Sequence, residues 1–484
     1  MGFDPRTTAP ARTTALACAG AWLLFGCVGE PERQDVVLVS IDTLRADALG
    51  CYGNPAAPSP GLDALAAEGL RFAEVLSQAP STAPSHATLF TGLSPYAHRV
   101  ANYTDAEFGT PVLADELVTL AERFAGAGYD TAAFTDDGPL GRTWRLMAGF
   151  DVLHAEYEDV ALKVDQTLEY LAGRGSDAPL FLFVHTYQVH QPFLPPPELE
   201  QRFRSNYDGF LIERVEDLRA ARERDPLANH GRELLAGSDE FTPADVAYLF
   251  ALYHAELAYT DRELERLWDA LRDRERWSDT VLSITSDHGE EFGEHGEYGH
   301  QQVHRETLRV PWILRLPGAR AAGTVIEQTV SLADVGATLI DLAGLDARGQ
   351  GLPGSLAATL DQGVVPERPS HAVTNMHFVE PVRHMPYRRS LRSGRWALVQ
   401  QIDDGGRGEA HTALFDRQAD PLEASPLATD SGDARGQAQR LELQLEQLLQ
   451  AELGRRVGDA EVQRAASDAA AAEQMKALGY VDDE

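Results

Sequence analysis

Asp42 stands directly after the apolar run Val36–Ile41, and Asp287-His288-Gly289 stands just past a second run, Val281–Thr285. Runs of this length and composition read as buried strands. In open α/β sheets, sites collect in the crevice beyond the carboxyl ends of the strands, which is where both acidic positions fall. Two carboxylates and an imidazole converging there suit a divalent cation, whether Ca, Mg, Mn or Zn. Taken singly, a strand-terminal Asp is equally well explained as a turn former or helix cap. Segment 287–296, Asp-His-Gly-Glu-Glu-Phe-Gly-Glu-His-Gly, is harder to treat as a mere connector, because it is dense in charge and glycine.

A third piece of chemistry lies in segment 81–92. Pro84 suits the first position of a helix, and Thr82 comes just before it. A hydroxyl there faces the free N–H groups of the helix start, which stabilise anions. Bound to a metal, it is a candidate nucleophile. The plainer reading is an N-cap, and the residues alone leave both open.

The elements that must hold these groups follow from periodicity. Short apolar runs alternate with helix-period segments, which implies a layered α/β fold. Helices are expected at 62–69, 113–127 and 332–343, the last ending at Gly344. Thr242 and Pro243 form a cap and first turn for a long amphipathic helix reaching about Arg272. Further strands are expected at 131–134, 180–184 and 310–316. After about residue 365 the sequence turns polar, Arg-rich and turn-rich, so 366–484 reads as a smaller C-terminal subdomain. Within it, Leu441, Leu445, Leu448 and Leu449 share one face of a helix.

Residues 1–27 read as a leader. Arg6 and Arg12 precede an apolar run over 15–26, too short to span a bilayer but suited to a signal-peptide core. Leu24-Phe25-Gly26-Cys27 resembles a bacterial lipobox, so export is expected, with a lipid anchor at Cys27 and residence in the cell envelope or periplasm. Cys18 and Cys27 would then leave Cys51 as the one thiol, which excludes a disulfide framework within the mature monomer. Acidic residues outnumber basic ones 75 to 42, for a net charge of −33. That field repels nucleic acid, and an anionic substrate would need local positive charge, which a bound metal supplies.

Taken together, the motifs resemble the sulfatase family. Ile41-Asp42-Thr43-Leu44-Arg45-Ala46-Asp47, with Leu49-Gly50-Cys51-Tyr52-Gly53 behind it, looks like the family's opening. Segment 82–92 is similar to the Cys/Ser-x-Pro-Ser-Arg-x-x-Leu-x-Thr-Gly signature. His185 and His190-Gln191-Pro192 resemble its His-x-Pro segment, residues 253–261 its long helix, and 286–296 its second metal motif. Arg309-Val310-Pro311, Leu414-Phe415-Asp416, Asp420-Pro421 and Leu478-Gly479-Tyr480 look like later landmarks. The resemblance implies an alkaline-phosphatase-like α/β/α sandwich around a mostly parallel sheet. A catalytic domain would span 34–365, and the small C-terminal subdomain would be α+β.

The departures bear on mechanism. Thr82 stands where the family carries the Cys or Ser converted to formylglycine, so no formylglycine is expected. His86 replaces the adjoining Arg, Leu93 the basic residue after Thr-Gly, Thr43 the second Asp of a pair, and His300 a Lys. The metal set Asp42, Asp287 and His288 is retained. The expected function is a secreted, metal-dependent hydrolase of a sulfate or phosphate ester, small-molecule, glycan or lipid, with Thr82 as nucleophile. His190 would contact or protonate the leaving oxygen. His86 would contact the transferring group, and His300 the substrate. A second metal drawn from His190, His295, His300 or His304 stays open. The alternatives are a phospho-alcohol transferase of the envelope and a catalytically silent binding protein.

Overall fold

The computed structural model describes residues 33–101, 110–224, 231–348, 352, 354–374, 387–403, 408–430, 432–455 and 464–465. The leader with Cys27 and the Leu478-Gly479-Tyr480 ending lie outside the described residues. Eight strands form the main sheet, in the order Thr324–Ser331, Leu70–Leu76, Arg309–Arg315, Val281–Thr285, Val36–Ile41, Leu180–Thr186, Asp130–Thr135, Val152–Ala155. Arg309–Arg315 runs antiparallel to both its neighbours, and every other pairing is parallel.

Alternation along the central strands builds two cores. Val36, Leu38, Phe181 and Phe183 point to one face, where they join Ala83, Ala87, Phe90, Phe124 and Val335. Val37, Val39, Ile41, Leu182 and Val184 point to the other, against Leu62, Val164, Tyr253 and Leu264. Helices Thr82–Thr91, Leu120–Gly126 and Ala333–Leu342 therefore cover the first face, and Pro60–Glu68, Val160–Gly173 and Pro243–Arg272 the second. Burial on both faces is why these strands read as continuous apolar runs. Among the described residues no helix is long and apolar enough to cross a membrane.

Two helix starts differ from expectation. The helix expected from residue 113 begins at Leu120, because Thr119 and Glu122 form a reciprocal capping box that fixes the start there. Leu113 and Leu117 are still buried, but in irregular backbone. The nucleophile-candidate helix starts at Thr82, two residues before Pro84, with extended Ser81 at its cap. Pro84 is tolerated there because the N–H it lacks belongs to the first turn, where no intrahelical partner exists. Thr242 caps Pro243–Arg272 as the sequence implied. In the C-terminal region a four-stranded antiparallel sheet, Ser370–Val373 to Ala410–Asp416, packs against helix Gly432–Leu453 through Leu441, Leu445 and Leu449, with Leu448 partly buried.

Gly336 marks where helix Ala333–Leu342 closes onto the Thr82 helix. A Cβ there would meet the Leu89 carbonyl oxygen at 2.6 Å, so backbone must give way. Gly336→Ala is expected to destabilise the protein by about 1–3 kcal/mol, the usual cost of overpacking. A thermal unfolding midpoint equal to wild type would contradict this close packing.

Candidate active site

Four adjacent parallel strands end at one crevice. Val281–Thr285 delivers Ser286, Asp287 and His288; Val36–Ile41 delivers Asp42; Leu180–Thr186 carries His185; Asp130–Thr135 leads into Asp136. All of these side chains are buried. Asp42, Asp287 and His288 each offer a ligand atom, and the three atoms lie within 4.8 Å of one another. Asp42 Oδ1, Asp287 Oδ2 and His288 Nε2 are fully buried and have no hydrogen-bond partner. His288 Nδ1 donates to the Gly289 carbonyl at 3.0 Å, which fixes the tautomer with a bare Nε2 lone pair. Burial, then the charges of Asp287 and Glu290, push the Asp42 carboxyl well above its usual range. Adjoining buried carboxylates beside a bare imidazole nitrogen are costly alone and fit a divalent cation.

Thr82 sits at the start of its helix, and its Oγ1 donates to Asp42 Oδ2 at 3.3 Å. The structure thus brings Thr82 to the edge of the cation cluster. His86 lies one turn on. Its Nδ1 donates to the Thr82 carbonyl at 2.9 Å, and its Nε2 accepts from Ser40 at 3.1 Å. His86 thus ties the helix to the central strand, and its Nδ1 also lies 3.5 Å from Asp287 Oδ2, at the edge of the cluster. Thr43, where the resemblance has a second Asp, adopts φ 53° and donates to the Val189 carbonyl at 3.1 Å. It ties the loop carrying His190 to the cation loop. Tyr253 supports the same turn, donating to the Thr43 carbonyl and accepting from Arg45 N, both at 2.9 Å.

His190, His288 and His300 are brought together. The His300 ring lies 4.6 Å from that of His288 and 5.1 Å from that of His190, and its Nδ1 is 3.3 Å from Glu290 Oε1. His190 Nδ1 donates to the Gln191 carbonyl at 2.6 Å, while its Nε2 is buried and unpartnered. Burial, then His300, lowers its pKa to about 4, so at neutral pH Nε2 is a proton acceptor. His295 and His304 stand apart from this group, stacked 3.6 Å from each other, with His295 bound to Glu306 and the Glu423 carbonyl.

Two further buried residues adjoin the site: His185, noted in the sequence only through the His-x-Pro resemblance, and Glu256, which the sequence reading did not single out. His185 Nε2 lies 3.5 Å from Asp42 Oδ2, and neither ring nitrogen has a hydrogen-bond partner. Its signal was a polar residue at the end of an apolar strand, paired in register with Ser40. Glu256, buried within the long helix, accepts from Gln188 Nε2 at 2.8 Å and Leu194 N at 2.7 Å. It clamps both sides of the His190 loop. Burial raises its pKa to about 7. An acid so raised holds its proton more tightly folded than unfolded, so its contribution is complete below about 4.5 and is lost as pH rises to about 7. Relative to wild type, Glu256→Gln should remove roughly 2–4 kcal/mol of that decline. Parallel denaturant titrations at pH 4.5 and 8 measure it, and equal slopes for both proteins would refute the assignment.

Residues 34–345 match the family model described as Sulfatase, and residues 293–451 match N-sulphoglucosamine sulphohydrolase, C-terminal. A multifunctional alkaline phosphatase superfamily protein, PehA, from Trinickia caryophylli is 24% identical over 82% of this chain and 92% of its own length. An arylsulfatase of Clostridium perfringens is 23% identical over 70% of this chain and 79% of its own. The crystal structure of a phosphonate monoester hydrolase from Agrobacterium radiobacter superposes with a TM-score of 0.69 at 23% identity, over 87% of this chain and 96% of that one.

Proposed function

The chain belongs to the sulfatase family of ester-hydrolysing enzymes, and from that premise we propose that it is a metal-dependent hydrolase using Thr82 as nucleophile, with phosphate esters favoured over sulfate esters. One observation carries this reading: Thr82 Oγ1 adjoins a cluster of three orphaned ligand atoms from Asp42, Asp287 and His288. A divalent cation held by those residues would supply Lewis acidity and lower the pKa of a hydroxyl beside it. Thr82 Oγ, releasing its proton toward Asp42 Oδ2, forms a bond to phosphorus or sulfur as the bond to the leaving oxygen breaks, and that oxygen departs as the alcohol after taking a proton from solvent. The resulting threonyl ester has a single oxygen on Cβ. It lacks the second hydroxyl through which a formylglycine hydrate expels sulfate by elimination. Water must therefore attack the same phosphorus or sulfur again, and phosphoryl enzymes with Ser or Thr nucleophiles turn over in this way. The bare Nε2 of His190 is placed to take that water's proton. His185 and His300 line the crevice as contacts for the substrate's oxygens.

Names of relatives and neighbours that include a sulfatase and a phosphonate hydrolase support ester cleavage at sulfur or phosphorus in this fold. The deciding assay pairs aryl sulfate, aryl phosphate and an aryl phosphodiester on purified protein, with metal removed and restored. Turnover of phosphoester dependent on restored metal is expected; turnover of sulfate alone would overturn the preference. The leader reading carries forward as part of this proposal: an exported lipoprotein acting on small-molecule, glycan or lipid esters of the envelope. An intact mass beginning at a lipidated Cys27 is expected, and a mature protein retaining earlier residues would overturn it.

A further inference from the structure

Behind the cation loop lies a second cavity of about 440 Å³, walled by Phe250 and Tyr253 of the long helix, by Leu422 from the C-terminal region, and by Arg45, His295 and Arg305. Its charges are almost all committed. Arg45 binds Asp47 through Nε and Nη2, both at 3.0 Å, and Glu294 through Nη1 at 2.5 Å. His295 is pushed up to about 9, its bond to Glu306 overcoming burial, so it is a cation matched to that carboxylate. Arg305 is the exception. It is half-buried, yet its guanidinium has no hydrogen bond or ion pair to any described residue. Glu74, Asp47 and Glu423 reach it only through their charge, so its N–H donors remain open to a planar anion entering the cavity.

We propose that this cavity is a ligand site for an organic monoanion, a carboxylate on Arg305 with its apolar body against Phe250, Tyr253 and Leu422. Charge sets the class. Arg45, His295 and Arg305 balance Asp47, Glu294 and Glu306, so the empty cavity is neutral and a dianion would face two unbalanced charges beside three carboxylates. The planar guanidinium fork matches a carboxylate, and the aromatic and aliphatic walls exclude a small hydrated ion as the best occupant. The site is separate from the proposed hydrolytic centre: its residues include none of Asp42, Thr82, Asp287 and His288.

The test is calorimetric titration of the full-length protein with benzoate, and with benzamide as the uncharged control. Saturable benzoate binding is expected, with benzamide at least tenfold weaker. Arg305→Ala should weaken benzoate at least tenfold without loss of fold, since the side chain bonds to nothing described. Leu422→Glu, at a position 64% exposed, should do the same by placing a carboxylate at the mouth. Asp287→Asn should leave benzoate binding unchanged, which separates this site from the hydrolytic centre. Wild-type affinity in both Arg305→Ala and Leu422→Glu would overturn the proposal, as would loss of binding in Asp287→Asn.

Discussion

Thr82→Ala should cut turnover by at least about 10⁴-fold, the scale seen when an attacking hydroxyl is removed from an otherwise intact site. The methyl that remains keeps the helix start, and the seating bonds from His86 to Ser40 and to the residue-82 carbonyl do not use the lost hydroxyl. Folding should therefore be nearly unaffected, which makes the variant a clean test. Thr82→Ser retains Oγ but loses the γ-methyl that restricts its rotamer. It should keep activity within about a hundredfold, the scale of a small misplacement of a reacting atom. Steady-state kinetics on an aryl phosphoester, beside an unfolding curve for each variant, separates chemistry from stability. Near wild-type turnover by Thr82→Ala would assign the attack to another group, such as water activated directly in the crevice.

The second large effect is expected at Asp287. Replacing it with Asn removes one of two adjacent buried carboxylates and leaves shape almost unchanged. Affinity for the cation should fall more than about 100-fold, because even an outer partner of a metal ligand is worth 10–100-fold. Activity should fall with it. With no cation bound, the buried Asp287 carboxylate is held down to about 2, its neighbours His288, His86 and His185 outweighing burial, so Asp287→Asn should also lower the stability of the apo-protein near neutral pH. Metal content by elemental analysis and melting points in chelator check both halves. Wild-type metal content in the variant would remove Asp287 from the cluster.

How legible this was in the sequence depended on whether a residue's neighbours in space were also its neighbours in the chain. Val36–Ile41 and Val281–Thr285 are buried on both faces, so hydrophobic runs announced them, and the polar residues that followed marked the crevice. Thr242-Pro243 announced a helix start through purely local chemistry. The start at Leu120 was missed because apolar Leu113 and Leu117 continue a helical period that the Thr119–Glu122 capping box cuts short. His86 was only partly legible, for a different reason. Whether an imidazole faces substrate or fold is decided by Ser40, 46 residues away. Glu256 gave one faint sign, an acid on the buried face of an amphipathic helix, but its partners Gln188 and Leu194 come from a distant loop.

The way His86 anchors its helix has an evolutionary corollary. The proposed cation ligands are carried by strands locked into one hydrogen-bonded ladder, whereas the proposed nucleophile rides on a helix docked beside that ladder by the side-chain bond between Ser40 and His86. Such a division lets the two parts drift separately. A lineage can exchange the side chain at position 82, and with it the leaving chemistry open to the enzyme, while inheriting the cage intact. Conversely, substitutions at Ser40 would retune the approach of that side chain without altering what attacks.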